Sequence, residues 1–124
     1  MSESPADPTP GQARPAPAGH DPENVRTVAA VTAEADGVVA RLPEGVGVVV
    51  TGADPDAIVL GFEVARLAGA ERAYVSEDLG ILSVTGPVAG ARVAVLVTGG
   101  ALGADSLRGA VTSDGGEVVV TIEV

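Results

Sequence analysis

The sequence predicts a small α/β domain with a mostly parallel sheet flanked by helices, preceded by a disordered, Pro-rich tail. Short apolar runs typical of fully buried strands alternate with helical patterns. Two of these runs lead through polar or Gly-rich loops into helix starts. Five of the nine prolines fall within residues 1–20, where no large aliphatic residue follows Met1, so this stretch cannot offset its ordering entropy. We therefore divide the chain into a tail (1–20) and one domain (21–124).

The composition excludes several classes of function. The 124 residues carry 17 acids, seven arginines and no lysine, for a net charge of −10. This charge opposes nucleic-acid and anionic-membrane binding. Absent Cys and Lys remove thiolate zinc sites, thiol nucleophiles, Schiff bases and the Walker A lysine. The single His20 lies in the tail and is a poor general base. Without an apolar span or a signal-peptide pattern, we expect a cytoplasmic protein.

The first predicted element is a helix that begins at Asp21. Asp21 is a good N-cap, Pro22 suits the first helical position, and Glu23 places an acid in the first turn. Pro43 ends the pattern. The apolar side is predicted from residues at helical spacing: Val25, Val28, Ala29, Thr32, Ala35, Val39 and Leu42.

A buried strand over residues 47–51 and a second helix come next. Asp54 and Pro55 repeat the N-cap and first-turn pattern, and Gly69 is a C-terminal stop. The buried side of this helix is predicted from its larger apolar residues: Ile58, Val59, Phe62, Ala65 and Leu67.

The remaining elements complete the order α-β-α-β-β-β-α-β. Strands are predicted at 72–76, 79–85 and 92–97, and a Gly-rich loop at 98–105. A short helix from about Ser106 to Thr112 and a last strand over 117–124 follow. Alternating strands and helices favour parallel pairing with right-handed crossovers. A ligand site is then expected where strand carboxyl ends meet, at the loops 51–56 and 98–105.

Each of these two loops has a functional and a structural interpretation. The Gly-rich loop can present N–H groups to a phosphate at a helix N-terminus, or its glycines can form turns while Asp105 or Ser106 caps the helix. Asp54 and Asp56 can hold Mg²⁺ through water, or act as N-cap and first-turn acid. No spacing pairs groups for acid–base chemistry, so no catalytic residue is assigned.

A first resemblance rests on residues 98–103, which follow an apolar strand. The run is similar to the TGxxxG cofactor loop of short-chain dehydrogenases. However, Asp105 stands at the last glycine of that pattern, only one strand follows, and the family's Tyr-x-x-x-Lys pair needs a lysine. We reject this interpretation.

A second resemblance covers residues 45–124. Residues 48–53 and the helix after them match the first core strand, the pyrophosphate loop and the following helix of a known family. Residues 73–76 match the next strand of that family. Gly86 to Gly90 followed by Arg92-Val93 matches a G-x-x-x-G-x-R-V approach to a signature strand. The chain thereby resembles type I phosphoribosyltransferases, orotate phosphoribosyltransferase in particular. The resemblance implies two sets of site residues. The phosphate loop would comprise Thr98, Gly99, Gly100, Gly103, Ala104, Asp105 and Ser106. The pyrophosphate-loop position would comprise Thr51, Gly52, Ala53 and Asp54.

The departures from that family concern catalysis. Its signature has two acids for the ribose hydroxyls of phosphoribosyl pyrophosphate, and Val97 and Thr98 stand in their places. Asp105 stands where a hydroxyl should contact the 5′-phosphate. The lysine-bearing loop has become residues 76–78, and the long mobile loop is reduced to a turn.

The leading hypothesis is therefore a phosphoribosyltransferase-like module without catalytic activity or cofactor, with a binding, regulatory or structural role. The alternative is a weakly active, Mg²⁺-dependent orotate-type enzyme. A third interpretation, a partner-binding subunit that uses its acidic surface, predicts complexes with steep salt dependence. The partner would be a phosphorylated ribose or a protein. The small two-sided sheet also favours a homodimer.

Overall fold

The computed structural model describes residues 28–124, and the burial of side chains from Ala30 onward. The predicted tail and the predicted helix start at Asp21 lie outside the described residues. Among the described helices, none is both long and apolar enough to cross a membrane. The elements follow the predicted order: α1 (Val28–Val39), β1 (Val48–Gly52), α2 (Pro55–Ala68), β2 (Glu71–Asp78), β3 (Ile81–Thr85), β4 (Arg92–Val97), α3 (Ala104–Ser113) and β5 (Glu117–Glu123).

The five strands form one sheet in the order β3-β2-β1-β4-β5. Three of the four pairings are parallel, and β3 alone runs antiparallel to β2. The predicted α/β class with a mostly parallel sheet is thus confirmed. The strand predicted from Leu79 begins instead at Ile81. Leu79 and Gly80 have φ of 53° and 80°, as the two central residues of a tight hairpin turn require.

Helices cover both faces of the sheet and create two aliphatic cores. On one face, α3 packs Leu107 and Val111 against strand residues that include Val50, Val75 and Val95. On the other face, α1 and α2 pack against alternate strand residues that include Val49 and Leu96. Because strand side chains alternate between faces, the continuous apolar runs of β1 and β4 supply both cores.

The two helices on the second face bury only part of the sides predicted for them. On the described part of α1, the predicted Ala35 is buried and the predicted Val39 packs against the same core, while Val31 and Val38 are buried in addition. Leu42, also predicted, packs against this core just after the helix. On α2, Val59, Phe62 and Leu67 are 53%, 51% and 36% exposed, so the predicted buried side is wrong at these positions. The residues of α2 that are buried are smaller on average: Ala57, Leu60, Gly61, Val64 and Ala65.

Close approach to the sheet explains which side of α2 is buried. A Cβ on Gly61 would lie 2.7 Å from Cγ2 of Thr51 on β1. The helix therefore approaches the strand through small residues, since close packing leaves no room for larger ones there. The larger apolar side chains of α2 are left on the outside.

Candidate functional site: the crevice between two loops

The two predicted loops meet at the point where the strand order reverses. From β1 the chain passes to β2 on one side, while β4 and β5 lie on the other. The loops after β1 and β4 therefore enclose a crevice at the carboxyl edge of the sheet, the usual ligand position in such folds. A cavity of about 220 Å³ lies there, lined by Asp54, Asp56, Leu60, Thr98, Gly99, Gly100 and Val124.

The carboxylate of Asp54 occupies the space between the loops. Asp54 is the N-cap of α2: its Oδ2 accepts a hydrogen bond from the Ala57 N–H at 3.3 Å, and Pro55 starts the helix. A Cβ built on Gly100 would lie 2.5 Å from Asp54 Oδ1. The second loop thus approaches the carboxylate so closely that a side chain at position 100 would displace it. The predicted N-cap role of Asp54 is confirmed.

The N-cap of α3, at the end of the Gly-rich loop, differs from the one that the structural interpretation predicts. The helix begins at Ala104, and Gly103 is its N-cap, with φ −88° and ψ −177° and no side-chain cap. The predicted capping by Asp105 or Ser106 is therefore wrong, because both residues already lie inside the first turn. The Asp105 carboxylate is fully exposed, and its Oδ1 lies 3.7 Å from Nη1 of Arg108.

The crevice brings together only part of the predicted phosphate loop. Thr98, Gly99 and Gly100 line it opposite Asp54. Asp105 and Ser106 line open grooves beside α3 instead, and neither Gly103 nor Ala104 is among the residues that line the crevice.

The residues at the pyrophosphate-loop position also differ in burial, since some lie in the protein interior and others are exposed to solvent. Thr51 is 2% exposed, and its Oγ1 donates a hydrogen bond to the Gly52 carbonyl at 2.8 Å. Its methyl group faces Gly61 of α2, so this side chain holds the helix to the sheet. Gly52 is buried at the end of β1, whereas Ala53 is exposed.

Val97 and Thr98 stand where the resemblance requires two acids. Val97 packs against the α3 core, and its carbonyl accepts the Val124 N–H at 2.9 Å. Thr98 lines the crevice with its neutral hydroxyl. The carboxylates in the crevice come from Asp54, the N-cap of α2, and from Asp56 in the first turn of that helix, and its lining contains no basic side chain.

Two residues of the crevice were missed by sequence reasoning. Leu60 lies one helical turn after Asp56 on α2, and Val124 follows β5, the parallel neighbour of β4. The spacing and the parallel pairing could have indicated both. Within residues 28–124, no group of three or more His, Cys, Asp or Glu side chains could hold a metal ion. Comparison of the chain with protein-family models and with curated proteins returns no match.

Proposed function

We propose that the chain is a phosphoribosyltransferase-like domain without catalytic activity, which acts in the cytoplasm as a binding, regulatory or structural module. The observation that carries this proposal is the Asp54 carboxylate between the two loops. A pyrophosphate at that position would meet like charge from Asp54 and Asp56, with no Arg in the lining to compensate. Sites for such ligands normally gather cationic groups or metal ions.

Titration calorimetry tests this proposal. We expect no heat from phosphoribosyl pyrophosphate with Mg²⁺, from ribose 5-phosphate, or from nucleoside monophosphates. Asp54→Asn is the informative variant, because Asn caps a helix about as well as Asp but carries no charge. This variant should gain weak affinity for inorganic phosphate without gaining transfer. Measurable transfer to any nucleobase by the wild-type protein would overturn the proposal.

One observation favours the alternative, a weakly active orotate-type phosphoribosyltransferase. The first turn of α3 has no side-chain cap, so its N–H groups are available to a phosphate. A Cβ on Gly103 would contact nothing within 4 Å, and its extended backbone suits a β-branched residue. Gly103→Val therefore leaves the fold intact while it narrows the approach to α3.

The alternative predicts that Gly103→Val abolishes Mg²⁺-dependent binding of phosphoribosyl pyrophosphate. Matched circular dichroism spectra of the variant and the wild type would show that the fold is retained. Binding that is present in the wild type but unaffected by Gly103→Val would count against the loop as the phosphate site.

A further inference from the structure

An apolar groove lies on the helical face, away from the crevice. It has a volume of about 390 Å³ and runs over α2 between α1 and β2. Its floor is formed by Val31 of α1 and by Ile58, Val59 and Phe62 of α2. The groove exists because α2 turns its small residues to the sheet, which leaves Val59 and Phe62 about half exposed.

One of the two aromatic side chains of the protein lies in this groove, and the other lies beside it. The chain has one Phe, one Tyr and no Trp. Phe62 is in the groove, and Tyr74 lines a small depression next to it that shares Phe62 and Arg72. The Arg72 guanidinium carbon lies 4.9 Å from the centroid of the Phe62 ring. Aromatic residues and Arg are enriched in the centres of protein interfaces, where they dominate binding energy.

An acid and an arginine stand on opposite rims of the groove, and the acid already has a partner in its own chain. Glu63 lies on the α1 side, where Thr32 donates a hydrogen bond to it and Arg66 pairs with it. Arg72 of β2 stands on the opposite rim, where it lies over the Phe62 ring. It forms no ion pair with another described residue. A two-fold axis through the apolar floor would therefore bring Glu63 of one copy close to Arg72 of the other, as a self-complementary interface requires.

We propose that this groove is the interface through which two copies of the chain form a symmetric dimer. The free edge of β5 is a less favourable place for self-association. Antiparallel pairing of two β5 strands along their whole length would set Glu117 of one copy opposite Glu123 of the other, and like charges directly opposite are destabilising. The groove instead joins unlike charges around an apolar centre.

Sedimentation equilibrium of the full chain tests the dimer. We expect a mass of twice 12.1 kDa. Phe62→Asp should raise the dimer Kd by about thirtyfold or more, the effect of losing an aromatic hot spot. Ile81→Asp is the matched control, because Ile81 is an equally apolar, 68% exposed residue on β3, and its Kd should equal that of the wild type.

A charge exchange tests the arrangement of the two copies. Arg72→Glu alone should weaken the dimer, and Glu63→Arg combined with Arg72→Glu should restore it. Circular dichroism and thermal unfolding verify that each variant is folded.

A wild-type mass of 12.1 kDa at a protein concentration of about 100 μM would overturn the proposal, because that concentration is well above the Kd of specific dimers. So would dissociation by Ile81→Asp but not by Phe62→Asp. A monomer in which Phe62→Asp exposes residues 1–27 to protease would show that the chain's own N-terminal segment covers the groove.

Discussion

Position 100 shows how one missing side chain fixes the distance between two loops. Gly100→Ala places a methyl group against the Asp54 carboxylate. The carboxylate must move, and its hydrogen bond to the Ala57 N–H is then lost. We expect a loss of about 1 kcal/mol in the free energy of unfolding, the value of an N-cap, measured by urea denaturation.

A double-mutant cycle separates this clash from other effects of the Gly100 change. In an Asp54→Ala background the cap is already absent, so Gly100→Ala should have little further effect. Gly109→Ala is the matched control: its Cβ would contact nothing within 4 Å, and in the interior of α3 it should stabilise by about 0.5–1 kcal/mol. If the losses in unfolding free energy from Asp54→Ala and Gly100→Ala simply add in the double variant, the contact between Gly100 and the Asp54 carboxylate is contradicted.

At the scale of the element, α2 carries one ion pair with a measurable titration. The hydrogen bond and charge of Arg66, one turn further on, lower the pKa of Glu63 below its ordinary value of 4.5, and Thr32 adds a smaller effect in the same direction. The Arg66 Nε lies 3.1 Å from Glu63 Oε1. Because the pKa is lower in the folded state, the pair stabilises above the unfolded pKa, and this contribution is lost as the pH falls through the folded one.

The titration of Glu63 is observable by NMR. We expect the midpoint of its side-chain carboxyl signal to lie below 4.5 and to rise in Arg66→Gln. Arg108→Gln removes an arginine that faces Asp105 on α3 and should leave that midpoint unchanged. A midpoint that is the same in wild type and Arg66→Gln would show that the pair does not persist in solution.

Element order was predictable from the sequence, and the buried side of α2 was not. The runs Val48–Val50 of β1 and Val93–Val97 of β4 are continuously apolar, which is typical of strands buried on both faces. In α2, by contrast, apolar residues lie on all sides, and hydrophobicity alone favours Phe62 over Gly61 as a buried residue. The contact of Gly61 with Thr51 reverses this choice, and it exists only once the two elements are packed.

The candidate site was likewise predictable only in part. The topology of strands and loops sufficed to bring Asp54 and Thr98 together. The start of α3 did not follow from composition, because Gly103 caps the helix through its backbone conformation and without a side chain. Sequence signals for caps are side-chain signals, and they therefore pointed to Asp105 and Ser106.

The whole molecule is strongly acidic, which gives dimerisation an unusual salt dependence. Two chains of charge −10 repel each other at long range. Salt screens this repulsion, because the Debye length is only about 8 Å at physiological ionic strength and shortens as salt is added. The rim contacts of Glu63 with Arg72 act at short range, and salt screens partly buried pairs much less than it screens exposed charges. We expect the dimer Kd to fall as NaCl is raised from about 0.05 to about 0.5 M, as measured by sedimentation equilibrium. A Kd that rises with salt would indicate an interface dominated by attractive charge pairs.

The position of Tyr74 also determines what optical spectroscopy reports. With one Tyr and no Trp in the chain, absorption and emission near 280–300 nm come from a single ring that is half-buried beside Phe62. Both cores are aliphatic and contribute no chromophore. Ultraviolet fluorescence therefore follows the surroundings of β2, whereas far-ultraviolet circular dichroism follows the backbone of all the elements. Coincident unfolding curves from the two methods would show that the β2 region and the two cores unfold as one cooperative unit.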